Sequence, residues 1–193
     1  IDLTEENLDN QKKVVLEEKL QRYDNAPYGT FLAKTMKHIF PGSLYEHTTI
    51  GEAEHIKNFS RQDAIDFHHK YYSPANAELL ISGDIDIENT KNLIEKYFGG
   101  INKSNGIIRK ENKFTELTED ITETIEDNVM LEKFYISFKI PGAGSTEEYI
   151  LEYFTKLVFN NKSSRLYKLL VYDKMLLKNI SSFKFTIQDA GVY

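Results

Sequence analysis

The chain has 193 residues with 24 basic and 30 acidic side chains, a net charge of −6, and neither cysteine nor tryptophan. That length suits one large or two small domains, and twelve tyrosines with twelve phenylalanines make aromatic burial a source of stability. The acidic balance with no basic block argues against nucleic acid as a partner, the missing cysteines exclude disulfides and thiolate metal sites, and no apolar run reaches the length of a membrane span.

Ile1-Asp2-Leu3 carries neither an initiator methionine nor a basic-then-apolar leader, and Gly191-Val192-Tyr193 falls inside a predicted strand. Both ends are therefore expected to be cuts in a longer protein, and the compartment stays open. The stretch Asp9 to Gly29 is predicted to hold a helix and then an abrupt turn over Asp24 to Gly29; Leu8, Val14, Val15 and Leu20 make a partial apolar stripe, and Pro27 with Gly29 stops the pattern. Gln11, Val15, Glu18 and Arg22 share one face, whereas Glu17 lies with Lys13 and Gln21 on a more polar one. Glu18 is the better candidate for an inward carboxylate. Taken alone, the residues favour an ordinary solvated helix with a Glu18–Arg22 pair worth a few tenths of a kcal/mol.

A second helix is predicted over Tyr28 to Phe40 on the spacing of Phe31, Leu32, Met36 and Ile39, ended by Pro41-Gly42. His38 near its C-terminus suits the helix dipole better than a metal, and His47 and His55 read as surface residues. Ser60-Arg61-Gln62-Asp63 is a capping box opening a helix through Tyr71. His68 and His69 on that helix diverge by about 100 degrees and do not chelate one ion, so one is expected to pack and the other to be solvated. Pro74 ends the helix, Glu78 to Ser82 reads as a buried strand, and Glu88 to Phe98 as an amphipathic helix stopped by Gly99-Gly100.

Residues 101 to 128 are polar and charged, and the domain boundary is placed here: a first domain over 1–102, then 103–193 as linker and second domain. Ile121 and Ile125 are assigned to a half-solvated strand. Phe134, Ile136, Phe138 and Ile140 alternate with polar or amphipathic residues as a strand with one buried face. Ser145-Thr146-Glu147-Glu148 opens a helix carrying Tyr149, Ile150, Tyr153, Phe154 and Leu157, and Ser163 or Ser164 caps another running from Arg165 toward Met175. Phe183, Phe185 and Ile187 alternate as a last strand. Arg165 reads as a surface arginine on its own helix, with substrate or domain contact as the alternative. Helices with interspersed strands predict an α+β fold.

Several stretches resemble the zinc peptidases of the pitrilysin/insulinase family, the inverted H-x-x-E-H enzymes, in family order. They are NQKKVVLEEKLQRYDNAPYG, Tyr45 to Gly51, Tyr71 to Ala77, Gly83 to Asp86, Glu95 to Gly99, Ser163 to Tyr167 and Gln188 to Gly191. The resemblance implies a LuxS/metallohydrolase-like (mitochondrial processing peptidase-like) fold with helices over the sheets, here the closing part of one family domain and the opening part of its homologous successor. It implies a zinc-dependent endopeptidase acting on peptides or unfolded segments. The third zinc ligand of the family, a glutamate four residues after the first valine of V-[VI]-x-x-E, falls on Glu18. Gln11 and Arg22 are candidates to support that carboxylate. Many members carry a glutamate where this chain has Gln11, which hydrogen-bonds but takes up no proton.

The chain has no H-x-x-E-H motif, so no catalytic residue is assigned in it. The motif is expected upstream, with two histidine ligands and a glutamate base acting on a zinc-bound water. A single carboxylate should not hold Zn2+ by itself, so none is expected on this chain alone. The implied partners are peptide substrates and another domain or homologous subunit, with self-association over exposed sheet edges as a further expectation. The alternative is a catalytically silent scaffold or substrate-capture subunit of the same family.

Overall fold

The computed structural model describes residues 3–102, 107 and 111–193. The chain divides into two compact units: Ile1–Gln21 with Ile50–Glu111, and Arg22–Thr49 with Asn112–Tyr193.

The first unit is helical. α1 (Glu5–Lys19) starts where the Thr4 hydroxyl accepts the Asn7 amide N–H at 3.1 Å, satisfying one of the unbonded donors of a helix N-terminus. It continues into a π-helical turn, Leu20–Asp24, and the unit boundary falls within that turn. α1 lies against α3 (Ala53–Asn58), where Lys12 donates to the Lys57 carbonyl at 3.2 Å, and Leu8 is buried. The predicted capping box opens α4 (Arg61–Tyr71), with Asp63 N–H donating to Ser60 Oγ at 3.1 Å and Ser60 N–H donating to the Asp63 carboxylate at 2.8 Å. Asp86 caps α5 (Ile87–Phe98), as the Asn89 N–H donates to its carboxylate at 2.7 Å.

The strand predicted over Glu78 to Ser82 does not form. These residues are irregular, and Leu79 and Leu80 stand exposed. An extended segment gains a strand's hydrogen bonds only from a neighbour, and none of the described residues pairs with it. α5 forms as predicted, but Leu93, Tyr97 and Phe98 on its apolar stripe remain exposed.

The second unit holds the core. α2 (Phe31–Ile39) buries Met36 and Ile39, and these join Phe40, Ala190 and Val192 in one cluster, packed round by Leu32, Tyr45, Phe114, Phe185 and Ile187. The sheet is antiparallel, with β3 (Ala190–Val192) between β1 (Lys139–Pro141) and β2 (Phe185–Thr186). Gly191 faces Ile140 on one side and Thr186 on the other, and a Cβ there would stand 2.7 Å from the Phe185 carbonyl oxygen. Only glycine fits that central position.

The apolar alternation from Phe134 to Ile140 predicts a longer strand than is seen. Strand β1 covers Lys139–Pro141, and the pairing extends to Phe138, which exchanges backbone bonds with Tyr193 at 2.8 and 2.9 Å; Ile140 is buried, and Phe134, Ile136 and Phe138 are exposed. The residues before Phe138 have no paired strand among the described residues. The strand expected around Ile121 and Ile125 is likewise irregular, for want of a partner.

α6 (Thr146–Val158) begins at Ser145, whose hydroxyl accepts from Glu148 N–H at 3.2 Å. The reciprocal arm of the expected box goes elsewhere: the Glu148 carboxylate accepts from Gly144 N–H at 2.7 Å and Lys184 Nζ at 2.8 Å. Asn160 then fastens the following corner, its amide donating to the Ser182 carbonyl at 2.8 Å while its side-chain oxygen accepts from Ser182 N–H at 2.8 Å and hydroxyl at 3.2 Å. The helix predicted from Arg165 is α-helical only over Arg165–Tyr167 (α7), then winds as a π-helical turn through Lys168–Asp173. Ser164 stands before it without a capping bond, its hydroxyl buried with no hydrogen-bond partner among the described residues.

Candidate functional site

Glu17 and Glu18 leave α1 on different sides. Glu17 is exposed and accepts a hydrogen bond from Gln21 Nε2 at 2.7 Å, one turn on along the polar face. Glu18 is half-buried, as is Val15, one turn back on its own face. Gln11 is exposed on α1, and Arg22 is exposed within the π-helical turn. Each π turn closes through i→i+5 bonds and spends an extra residue, a winding often found beside functional sites.

Beyond that turn the chain reverses sharply. Gly29 N–H donates to the Ala26 carbonyl at 2.8 Å, and a Cβ on Gly29 would lie 2.1 Å from the Tyr23 carbonyl oxygen. Tyr28 takes a left-handed backbone, φ +60°, which costs a non-glycine residue conformational energy. Three contacts hold it there: its N–H donates to Asp127 Oδ2 at 2.9 Å, its hydroxyl donates to the Leu131 carbonyl, and Lys133 Nζ lies 3.8 Å over its ring. Asp127 gives no sequence signal for this role, being one acid among several in an irregular stretch.

The Glu123 carboxylate bridges Lys34 and His38 of α2, with His38 Nε2 at 2.7 Å from Oε2. The hydrogen bond from Lys34, then that from His38, hold the Glu123 carboxyl below the usual glutamate range. His38 is thus a hydrogen-bond partner of Glu123, a role that its position near a helix C-terminus does not reveal. His68 stacks on Tyr72 with ring centroids 5.0 Å apart while His69 is exposed, the divergence expected of adjacent helical residues. Arg165 is exposed at the start of α7.

Among the described residues no group of three or more histidine, aspartate or glutamate side chains is placed to hold a metal ion. A zinc site takes three or four protein ligands. Glu18 is one carboxylate, so the residues present do not by themselves make such a site. No helix among the described residues is long and apolar enough to cross a membrane.

Comparison with known proteins gives a consistent picture. The family described as the peptidase M16 inactive domain matches residues 58–192, a stretch that begins after Glu18. The chain is 28% identical over its whole length to the zinc protease PqqE of Helicobacter pylori, covering 44% of that protein. It is 25% identical over 97% of its length to the uncharacterized zinc protease YmxG of Bacillus subtilis, covering 45% of it. A mitochondrial presequence protease of Eremothecium gossypii is 26% identical over 88% of the chain, which covers 18% of that protein. The crystal structure of a protease from Helicobacter pylori superposes with a TM-score of 0.73 at 26% identity, over 99% of this chain and 47% of that one. The chain spans less than half the length of these relatives.

Proposed function

Because the chain belongs to the M16, or pitrilysin/insulinase-type, peptidase family, we propose that it forms part of a zinc-dependent endopeptidase hydrolysing peptides or unfolded polypeptide segments. Glu18 offers the third zinc ligand, with Gln11 and Arg22 as its supports, and the two histidine ligands come from outside the described residues. The observation that carries the assignment of Glu18 is its half-burial on α1, next to a Glu17 that is exposed. A carboxylate kept partly from water loses less hydration on meeting a cation than a fully solvated one.

In this reading residues 1–102 are the closing portion of one family domain, and 103–193 are a linker with the opening portion of its homologous successor. Full-length sheets covered by helices would then be completed by other parts of the enzyme. Those other parts, or a homologous subunit, are the partners.

The test is zinc content in a longer form of the protein that includes an H-x-x-E-H segment. Glu18→Gln there should lose most bound zinc and peptidase activity. Unchanged zinc would overturn the ligand assignment.

A catalytically silent subunit is the second reading, favoured by the match to the inactive type of domain and by Gln11 in place of an acid. It predicts that the longer protein lacks the histidine motif and leaves zinc unbound while still capturing peptide.

A further inference from the structure

Between Lys113 and Lys133 every charged residue is acidic, and this irregular segment meets α2, whose ionisable side chains are Lys34, Lys37 and His38 with no acid among them. Both belong to the second unit. Ring contacts hold the two ends: Phe114 lies 5.4 Å from Phe40 and 5.5 Å from Tyr45, and Tyr135 stacks on Phe31 at 3.7 Å. In between, Leu117, Ile121, Ile125, Met130 and Leu131 are exposed, so apolar burial does little to fasten the segment. Two carboxylates do so instead. Glu123 bridges Lys34 and His38, and Asp127, four residues on, accepts the Tyr28 N–H at 2.9 Å. The charged groups around His38 are Glu123 from the segment and, on its own helix, Lys34 one turn back and the exposed Lys37 beside it. Among the described residues no ion pair engages the neighbouring acids Glu119, Asp120 and Glu126.

We propose that residues 115–132 form a strap over α2 whose grip tightens as pH falls from about 7.5 to about 5.5, with His38 as the group that senses the change. Lys34 is cationic across that range and supplies a constant part of the grip. His38 is not constant. Neutral, it gives Glu123 an ordinary hydrogen bond through Nε2, 2.7 Å away; protonated, it gives a charge-assisted one, roughly twice as strong. With the strap closed the imidazolium meets a carboxylate, and with the strap open it meets water. Proton uptake therefore favours the closed form, and the grip grows as pH falls through the histidine range. Glu123 stays ionised there, because Lys34 and His38 hold its carboxyl below the usual glutamate range. Below about pH 4 it too takes up a proton, and the strap lets go. The side chains of Lys34, His38 and Glu123 are between 36% and 41% exposed, so screening keeps the change to about 1.5- to 5-fold in the ratio of closed to open forms. What the strap holds is Tyr28, whose left-handed backbone is kept by Asp127 and the Leu131 carbonyl. The device does not depend on zinc at Glu18.

The Tyr28 amide reports the strap, since Asp127 covers its N–H. Its protection against hydrogen exchange is read by NMR on the 22.4 kDa chain and corrected for the intrinsic pH dependence of exchange. That protection should rise about 1.5- to 5-fold from about pH 7.5 to about pH 5.5 and fall again below about pH 4. The Phe40 amide, bonded to the Met36 carbonyl in the core, should hold its protection level between the two upper pH values. His38→Gln keeps a hydrogen-bonding group that cannot charge, so the rise should vanish. Glu123→Gln, outside any helix or strand, should remove the rise as well, and it keeps the test decisive should His38→Gln loosen α2. Lys34→Gln should lower protection at both pH values and leave the rise in place. Salt at about 1 M should flatten it. Protection at Tyr28 that is level or falls from about pH 7.5 to about pH 5.5 overturns the proposal, as does a rise that survives in Glu123→Gln or in a folded His38→Gln. An equal rise at the Phe40 amide also overturns it, for it would report the stability of the whole unit and not the strap.

Discussion

Lys184 Nζ sits 2.8 Å from Glu148 Oε1, tying the first turn of α6 to the residue that precedes β2. The bond from Lys184, followed by that from the Gly144 amide, holds the Glu148 carboxyl below the usual glutamate range, and Lys184 is raised above the usual lysine range chiefly by Glu148. A depressed carboxyl contributes stability above its unfolded pKa, about 4.3, and that contribution is lost as pH falls through the folded value. Glu148→Gln should therefore melt below the parent chain at neutral pH. The two melting curves should converge in acid, and a gap that persists there would show that the loss is one of packing and not of charge.

Gly29→Ala should destabilise the second unit. The added Cβ would meet the Tyr23 carbonyl at 2.1 Å, a distance no small adjustment relieves. The expected cost is about 1–3 kcal/mol, read from denaturant unfolding. Faster hydrogen exchange at the Tyr28 amide should accompany it, since that N–H is held by Asp127.

Met36 and Phe40 are buried within the cluster shared by α2 and β3. Met36→Ala should cost about 2–5 kcal/mol and Phe40→Ala about 3–5 kcal/mol, because each leaves a cavity that its neighbours only partly fill. Leu80→Ala removes an exposed side chain and should change stability by less than about 0.5 kcal/mol. Calorimetric melting of the three variants gives the ranking.

Glu17→Gln is the partner experiment to the substitution at Glu18. Glu17 faces water and pairs with Gln21, so in a zinc-loaded longer form its loss should leave metal content and activity within about twofold of the parent. Equal losses at both positions would show that the helix, and not one carboxylate, is being reported.

Glu123→Gln should loosen the irregular stretch between Asn112 and Leu131. Lys34 and His38 would keep only a neutral acceptor in place of a carboxylate held in its charged form. Amide exchange across that stretch should quicken at neutral pH, and the difference should fade in acid as Glu123 in the parent takes up its proton.

The helices were legible because their signals are local. Ser60 with Asp63, Ser145 with Glu148, and the spacing of Met36 and Ile39 all lie within a turn or two of the element they define. The strands were legible only in part: β2 and β3 fall on segments that read as strands, whereas Glu78 to Ser82 and Phe134 to Ser137 alternate or run apolar as strands do yet have no distant segment to supply a ladder among the described residues. The orientation of α6 escaped for a related reason. Its apolar stripe marks a face, but the Glu148–Lys184 bond, 36 residues apart, turns the polar side inward. The two π turns leave no mark in apolar spacing, and the Tyr28–Asp127 bond joins residues 99 apart. The differing exposure of Glu17 and Glu18 follows from helical geometry alone.

The side-chain amide of Asn160 occupies both backbone groups of Ser182, so the bend between α6 and α7 behaves as a splice and not as a hinge. Any movement of α7 must carry the approach to β2 with it. A protease seeking a foothold at that bend would have to break three bonds at once, which makes the corner a poor place for nicking.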